Sequence, residues 1–218
     1  MKTKGFIFDL DGVIVDTAKY HFLAWKKIAN GLGIDFTETE NEQLKGVSRV
    51  RSLEKILDWG NKTITEDEFM SLMAEKNNDY LSYIEKMDDS ELLPKVKQTL
   101  QFLKDTNQCV ALGSASKNAR LIIDKVMVTK FFDAIVDGND VSKAKPDPEV
   151  FLIAAKQLEI EPKHCIVFED SVAGVQAANI AGMISIGIGS ENVLHEAHYI
   201  FKDFTQISES FINDLINN

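Results

Sequence analysis

Gly5-Phe6-Ile7-Phe8-Asp9-Leu10-Asp11-Gly12 is an apolar run that stops at two carboxylates and a glycine. Its apolar part lacks polar alternation, so both faces expect burial, as in the strands of a parallel sheet. Carboxylates at i and i+2 leave an extended strand on one side, and Gly12 permits a sharp exit. An aspartate, ionised at neutral pH, serves as a nucleophile or a hard-metal ligand; the same pattern also suits a strand-end turn with capping aspartates. A calcium-binding helix-loop-helix fits poorly, because its remaining loop ligands are missing.

Working outward, similar runs rich in Val, Ile and Phe occur at Cys109 to Ser114, Ala134 to Asp137, Cys165 to Glu169 and Ile184 to Ile188. Helical patterns lie between most of them, which predicts an α/β protein with a Rossmann-like, doubly wound parallel sheet. The exception is Thr17 to Met87, where only helical periodicity is found. Ala18, Phe22, Trp25, Ala29 and Leu32 form one stripe. Thr65-Glu66-Asp67-Glu68 is a capping box opening a helix striped by Phe69, Leu72, Met73, Tyr80, Tyr83 and Ile84. About 70 residues far exceed a strand-to-helix connection. The expected organisation is a core of residues 1–15 and 88–218 with an all-helical cap of residues 16–87. Hinges are expected near Asp16 and Lys86, and Pro94 is expected to start the first helix after the return to the core. A domain inserted after the first strand stands over the carboxyl ends of the strands, where open α/β sheets bind ligands.

Composition narrows the function classes. The chain has 218 residues, 34 acidic against 24 basic, for a net charge of -10. That balance argues against nucleic-acid binding and against a basic membrane-surface module. No repeat and no 18-residue apolar run occurs, which excludes a solenoid and a membrane-spanning helix. Asp9 and Asp11 interrupt the apolar stretch that a signal peptide would need, and Cys109 and Cys165 read as buried reduced thiols. A cytoplasmic protein, acting as a monomer, is expected.

The other strand ends also carry polar groups. Leu112-Gly113-Ser114-Ala115-Ser116-Lys117-Asn118 offers hydroxyls and free amides suited to an anion, or to an ordinary helix cap. Lys145-Pro146 follows the third run, with Asp147 and Pro148 read as N-cap and first helical residue; Lys145 alone could be merely solvated. Glu169-Asp170 ends the fourth, and adjacent buried carboxylates call for a cation. Gathered at one sheet edge, acids, a hydroxyl and a lysine match the needs of phosphoryl transfer. A carboxylate attacking a phosphate faces a repulsion of about 4 kcal/mol for unit charges 4 Å apart at an effective dielectric of 20.

These motifs, Asp9-Leu10-Asp11-Gly12-Val13, Ser114, Lys145-Pro146 and Glu169-Asp170, resemble those of the haloacid dehalogenase superfamily over essentially the whole chain. Leu44-Lys45-Gly46-Val47-Ser48-Arg49, with Thr17, His21, Trp25, Ser52, Lys76 and Ser114 to Asn118, is more specifically similar to its sugar phosphomutases. The resemblance implies a Mg²⁺-dependent interconversion of β-D-glucose 1-phosphate and β-D-glucose 6-phosphate through an aspartyl phosphate and a β-glucose 1,6-bisphosphate. It makes Asp9 the nucleophile and Asp11 the general acid/base. Asp9, Asp11 (through its backbone carbonyl), Glu169 and Asp170 become the metal set. Ser114, Ala115 and Lys145 would hold the transferring phosphate, and Arg49, Ser116, Lys117 and Asn118 the other. Trp25, Gly46, Val47, Ser48, Ser52 and Lys76 would face the sugar, with Thr17 and His21 also in the substrate set and His21 near Asp11.

On the residues alone, Lys76 is unexpected on an apolar stripe unless it serves a ligand or snorkels; Trp25 also suits plain core, and Arg49 a solvated first turn. Lys95 stands where relatives commonly have glycine, and Asp147 where a small residue is common. Two rivals remain. A sugar-phosphate phosphatase would not need Arg49 and Lys117, and a signalling receiver domain would not need the helical insertion.

Overall fold

The computed structural model describes residues 3–217. Its centre is a six-stranded parallel sheet in the order β3-β2-β1-β4-β5-β6. The strands are β1 (Gly5–Phe8), β2 (Cys109–Gly113), β3 (Ala134–Val136), β4 (Cys165–Glu169), β5 (Ile184–Ile188) and β6 (Tyr199–Phe201). The first three end one or two residues before the apolar runs suggest, so that Asp9, Ser114 and Asp137 already lie beyond the ladder. β6 has no counterpart in the sequence reading: it is three residues long, at the sheet edge and partly exposed.

Alternation along β1 sorts the two faces. Phe6 and Phe8 pack with Leu112, Phe168 and Ile186 against α5 (Val96–Asp105), α6 (Ala119–Lys125) and α9 (Glu209–Asn217). Ile7 points the other way, to Val150, Phe151 and Ala154 of α7 (Glu149–Gln157) and Ala177 and Ala178 of α8 (Val172–Ile180). Helices on both faces leave β1 and β4 buried along their whole lengths.

Between β1 and β2 the chain forms α1 (Ala18–Gly31), α2 (Glu38–Glu42), α3 (Arg49–Trp59) and α4 (Glu66–Ile84). α1, α3 and α4, with the segments on either side of α2, share an apolar cluster of their own, including Trp25, Ile28, Phe36, Leu53 and Ile56. Tyr80, Ile84 and Met87, by contrast, pack into the main core beneath the sheet ends. The capping box at Thr65 forms, with Thr65 accepting from the Glu68 amide and Glu68 accepting from the Thr65 amide. No helix among the described residues is long and apolar enough to cross a membrane.

Two helix starts differ from the sequence reading. Pro148 occupies the cap position and α7 begins at Glu149, whose amide donates to the Asp147 carboxylate at 3.1 Å. Pro94 lies two residues before α5, because Lys95 takes the left-handed conformation (φ 68°) that turns the chain into the helix. A side chain there costs about 1–2 kcal/mol relative to right-handed backbone, which is the physical reason for glycine at such a position. Lys95→Gly is therefore expected to stabilise the protein by about 1 kcal/mol or less once the larger unfolded-state entropy of glycine is counted. Chemical denaturation checks this: the midpoint should rise with an unchanged m-value.

Candidate active site

The crevice lies where the sheet order reverses, between β1 and β4, at the carboxyl ends of the strands. β1 delivers Asp9, β2 Ser114 and β4 Glu169 and Asp170, while the loop after β3 delivers Lys145. The Lys145 ammonium is buried and lies 2.5 Å from both Asp9 Oδ1 and Glu169 Oε1, with the Gly113 carbonyl at 3.3 Å and the Phe151 ring at 4.7 Å. Burial disfavours its charge, but the two carboxylates outweigh that and hold it protonated well above the usual lysine range. Glu169 is fully buried behind the cleft, and its second oxygen accepts from the Ser171 amide and hydroxyl.

Asp9, Glu169 and Asp170 each bring an oxygen within 4.8 Å of the others. Three hard oxygen donors at that separation suit a divalent cation such as Mg²⁺ or Mn²⁺. Their electrostatics also call for one. Burial raises the Asp9 carboxyl well above its ordinary range, against the pull of Lys145, and Glu169, Asp11 and Asp170 push the same way as burial. Burial and Glu169 push Asp170 up to about 7, opposed by Lys45. The cluster thus has more buried negative charge than its lysines offset. Gly12 is required beside it: its φ is +77°, and a Cβ there would stand 2.1 Å from Asp170 Oδ2.

Asp11 has a different neighbourhood. Its carboxylate accepts a hydrogen bond from the Thr17 hydroxyl, and burial raises it to about 6, with Lys76 and Lys145 opposing. Asp11 is not part of the three-carboxylate group. The Thr17 side chain is fully buried and does not line the cleft; it reaches the site only through Asp11.

The helical insertion covers this edge and encloses a cleft of about 330 Å³. Asp9, Asp11, His21, Trp25, Gly46, Val47, Ser48, Arg49, Ser52, Lys76, Ser114, Ala115, Ser116, Lys117, Asn118, Lys145 and Asp170 all line it. Of the residues singled out from the sequence, Thr17 and Glu169 sit behind its wall. Arg49 is the first residue of α3, with Ser48 as the N-cap accepting from the Arg51 amide.

Lys76 is 2% exposed. Its ammonium lies 2.8 Å from His21 Nδ1 and over the rings of Tyr80 (4.6 Å) and Trp25 (5.0 Å). Burial and Arg49 lower it to about 7, against the pull of Asp11. Burial, Lys76 and Arg49 lower the His21 imidazole as well, and its Nδ1 shares a hydrogen bond with the lysine. Trp25 serves twice, in the apolar cluster of the insertion and as cleft wall.

Several lining residues escaped the sequence reading of the site, among them Asn41, Lys45, Val141, Ser142 and Lys143. Lys45 matters most, because it pairs across the cleft with Asp170 at 3.3 Å as well as with Glu42 at 3.0 Å. Its position inside the Leu44 to Arg49 motif was the available signal.

The chain belongs to the haloacid dehalogenase-like hydrolase family, which it matches over residues 3–182. Within that family it is 41% identical over 213 residues to a beta-phosphoglucomutase of Bacillus subtilis, covering 97% of this chain and 94% of the relative. It superposes on the crystal structure of a beta-phosphoglucomutase from Clostridium difficile with a TM-score of 0.95 at 40% identity, covering 99% and 98% of the two chains. A fructose-1-phosphate phosphatase of Escherichia coli is 30% identical over 184 residues, 84% of this chain and 95% of that one.

Two outcomes test this geometry. Gly12→Ala should displace the Asp170 carboxylate and weaken any divalent-cation binding at least about tenfold, the equivalent of about 1.4 kcal/mol, as read by calorimetry. Lys76→Met should stabilise the ligand-free protein, since a buried ammonium costs free energy that a thioether does not. The sign comes from its depressed pKa, about 7 folded, against about 10.4 unfolded. Between those values the unfolded state binds more protons, so wild-type stability rises with pH. The variant's advantage should be full below about pH 7 and fade toward pH 10, as read from melting temperatures.

Proposed function

We propose that this chain is a Mg²⁺-dependent phosphomutase that interconverts β-D-glucose 1-phosphate and β-D-glucose 6-phosphate, with residues 16–87 acting as a cap over a core of residues 1–15 and 88–218. The observation that carries the proposal is the charge layout of the cleft. Asp9, Ser114 and Lys145 line its wall as one group, and so do Arg49, Ser116, Lys117 and Asn118, which we assign as a second, cationic group for the other phosphate. A substrate with one phosphate occupies one group; a bisphosphate needs both. The close likeness to two beta-phosphoglucomutases supports the same reading.

In the first half-reaction Asp11 removes the proton from the 6-hydroxyl of β-glucose 1-phosphate, that oxygen attacks the phosphorus of phospho-Asp9, and the aspartyl P–O bond breaks, leaving β-glucose 1,6-bisphosphate and free Asp9. The bisphosphate then reorients. Asp9 attacks the phosphorus of its 1-phosphate, the P–O bond to the sugar breaks, the departing oxygen takes the proton back from Asp11, and β-glucose 6-phosphate leaves with phospho-Asp9 restored. A pKa of about 6 suits Asp11 to giving and taking a proton near neutrality. Lys145 offsets the repulsion between Asp9 and the incoming phosphate. Asp9, Asp170 and the Asp11 backbone carbonyl, with Glu169 alongside, would hold Mg²⁺, which would supply further positive charge to the transferring phosphate. Trp25, Ser52, Lys76 and the Gly46–Val47–Ser48 loop would contact the sugar, and closure would exclude water that otherwise hydrolyses phospho-Asp9. The reading calls for no second chain and is that of a cytoplasmic monomer. The two cysteines are free, Cys165 buried and Cys109 half-buried.

A coupled assay with Mg²⁺ and a trace of bisphosphate primer tests the reading. β-Glucose 1-phosphate should yield β-glucose 6-phosphate, and chelation with EDTA should abolish turnover reversibly; release of free phosphate and glucose with no 6-phosphate contradicts it. Arg49→Ala should slow mutase turnover by about 10²-fold or more, on the scale of a lost charge-assisted contact. It should leave phosphorylation of Asp9 by acetyl phosphate unchanged; equal loss of both contradicts a second-phosphate role.

A further inference from the structure

The loop after β3 contains a cluster that the chemistry above does not use. Arg120, on α6, donates to the Ile135 carbonyl at 2.7 Å and to Asp140 Oδ2 at 2.8 Å, and its Nε lies 3.0 Å from the buried Asp137 carboxylate. The same Asp140 oxygen accepts from the Asp137 amide at 2.9 Å, and Asp137 Oδ1 accepts from the Asn139 amide at 2.8 Å. Two ion pairs therefore fix the backbone of residues 137–140. That fixed segment grips the Ser114–Asn118 loop, with Gly138 at the cleft wall and Asn139 outside it. The Gly138 amide donates to the Ser116 carbonyl, and Asn139 Nδ2 donates to the Lys117 carbonyl, each at 3.1 Å. The approach leaves no room for a side chain at Gly138, where a Cβ would stand 2.3 Å from the Ala115 carbonyl oxygen.

Ser116 and Lys117 line the cleft, whereas Asn139 is exposed and does not. We propose that Asn139 is a positioning residue for distal-phosphate binding: held by the Arg120–Asp137–Asp140 cluster, it sets the Lys117 peptide and so aims the Ser116 to Asn118 loop at the second phosphate. This rests on the phosphomutase reading for its ligand, but not for the loop geometry. Across the cleft the same loop meets the insertion, where Asn118 Nδ2 donates to Asn77 Oδ1 at 3.1 Å. Setting the Lys117 peptide therefore also sets the partner that α4 meets.

The test compares wild type, Asn139→Ala and Asn139→Asp. The aspartate keeps the size but turns an acceptor toward the Lys117 carbonyl, so a packing role would be spared by it and a donor role would not. Both variants should exchange the amide hydrogens of the 115–118 loop faster than wild type, with the strands unchanged. Both should raise the KM for the bisphosphate about tenfold, as expected for one lost hydrogen bond. Phosphorylation of Asp9 by acetyl phosphate should be unaffected. Unchanged loop exchange in both variants, rescue by aspartate, or equal loss of acetyl-phosphate reactivity overturns the proposal. If wild type releases free phosphate in place of the 6-phosphate, the mutase reading fails; loop exchange then still decides whether Asn139 positions the loop.

Discussion

The buried ammonium of Lys145, 2.5 Å from both Asp9 and Glu169, is the interaction on which the site depends. Four carboxylates, at residues 9, 11, 169 and 170, come together where β1 and β4 lie side by side. Desolvated like charges at such separations repel by several kcal/mol, so this sheet order is tenable only with cations among them. Lys145 reaches them from the loop after β3, its ammonium beside the Gly113 carbonyl at the end of β2 and over the ring of Phe151, a core residue of α7. Removing one partner of such a buried group costs about 3–5 kcal/mol in typical cases. The same excess of negative charge that disfavours the site by itself suits it to a divalent cation.

The parts of the site that obey local rules were legible in the sequence. Strands buried on both faces announce themselves as apolar runs, and the residues just past each run must lie at the same sheet edge. Asp9, Ser114, Lys145 and Glu169 could therefore be brought together without coordinates. Lys76 stood out because charge is out of place on an apolar stripe, and it is buried between Trp25 and Tyr80. Pairings set by tertiary approach were not legible. Lys45 lies three residues from Glu42 and reads locally as half of a surface ion pair; its second partner, Asp170, is distant in sequence. Arg120, Asp137 and Asp140 likewise read as ordinary surface charges until α6 folds back on β3. Thr17 and Glu169 fell into the predicted site, but only coordinates show that they stand behind the residues facing the cleft. β6 went unseen because three half-exposed residues at a sheet edge leave no pattern.

Charge shows how far local arrangement departs from composition. The chain carries a net -10, yet the cleft wall has six basic residues (Lys45, Arg49, Lys76, Lys117, Lys143 and Lys145) against three acidic ones (Asp9, Asp11 and Asp170). A global field of that sign repels a sugar phosphate, and steering by net charge cannot supply the binding. Close contacts must do so, in a partly desolvated cleft where each is worth more than in water. The basic residues come from both sides of the cleft, α3, α4 and the segment before α3 above and the strand-end loops below. An anion bridging them would draw the insertion toward the core.

The central claim is that phospho-Asp9 delivers its phosphoryl group to a sugar hydroxyl in preference to water. Its most direct measurement is a single-turnover partition. The enzyme, phosphorylated in the presence of Mg²⁺ and with the label located on Asp9 by peptide mass spectrometry, is mixed with excess β-glucose 6-phosphate and quenched over time. The account predicts that the label appears in hexose bisphosphate faster than in free phosphate. A label found on another residue, or one that passes to free phosphate at the same rate with and without the sugar phosphate, would contradict it.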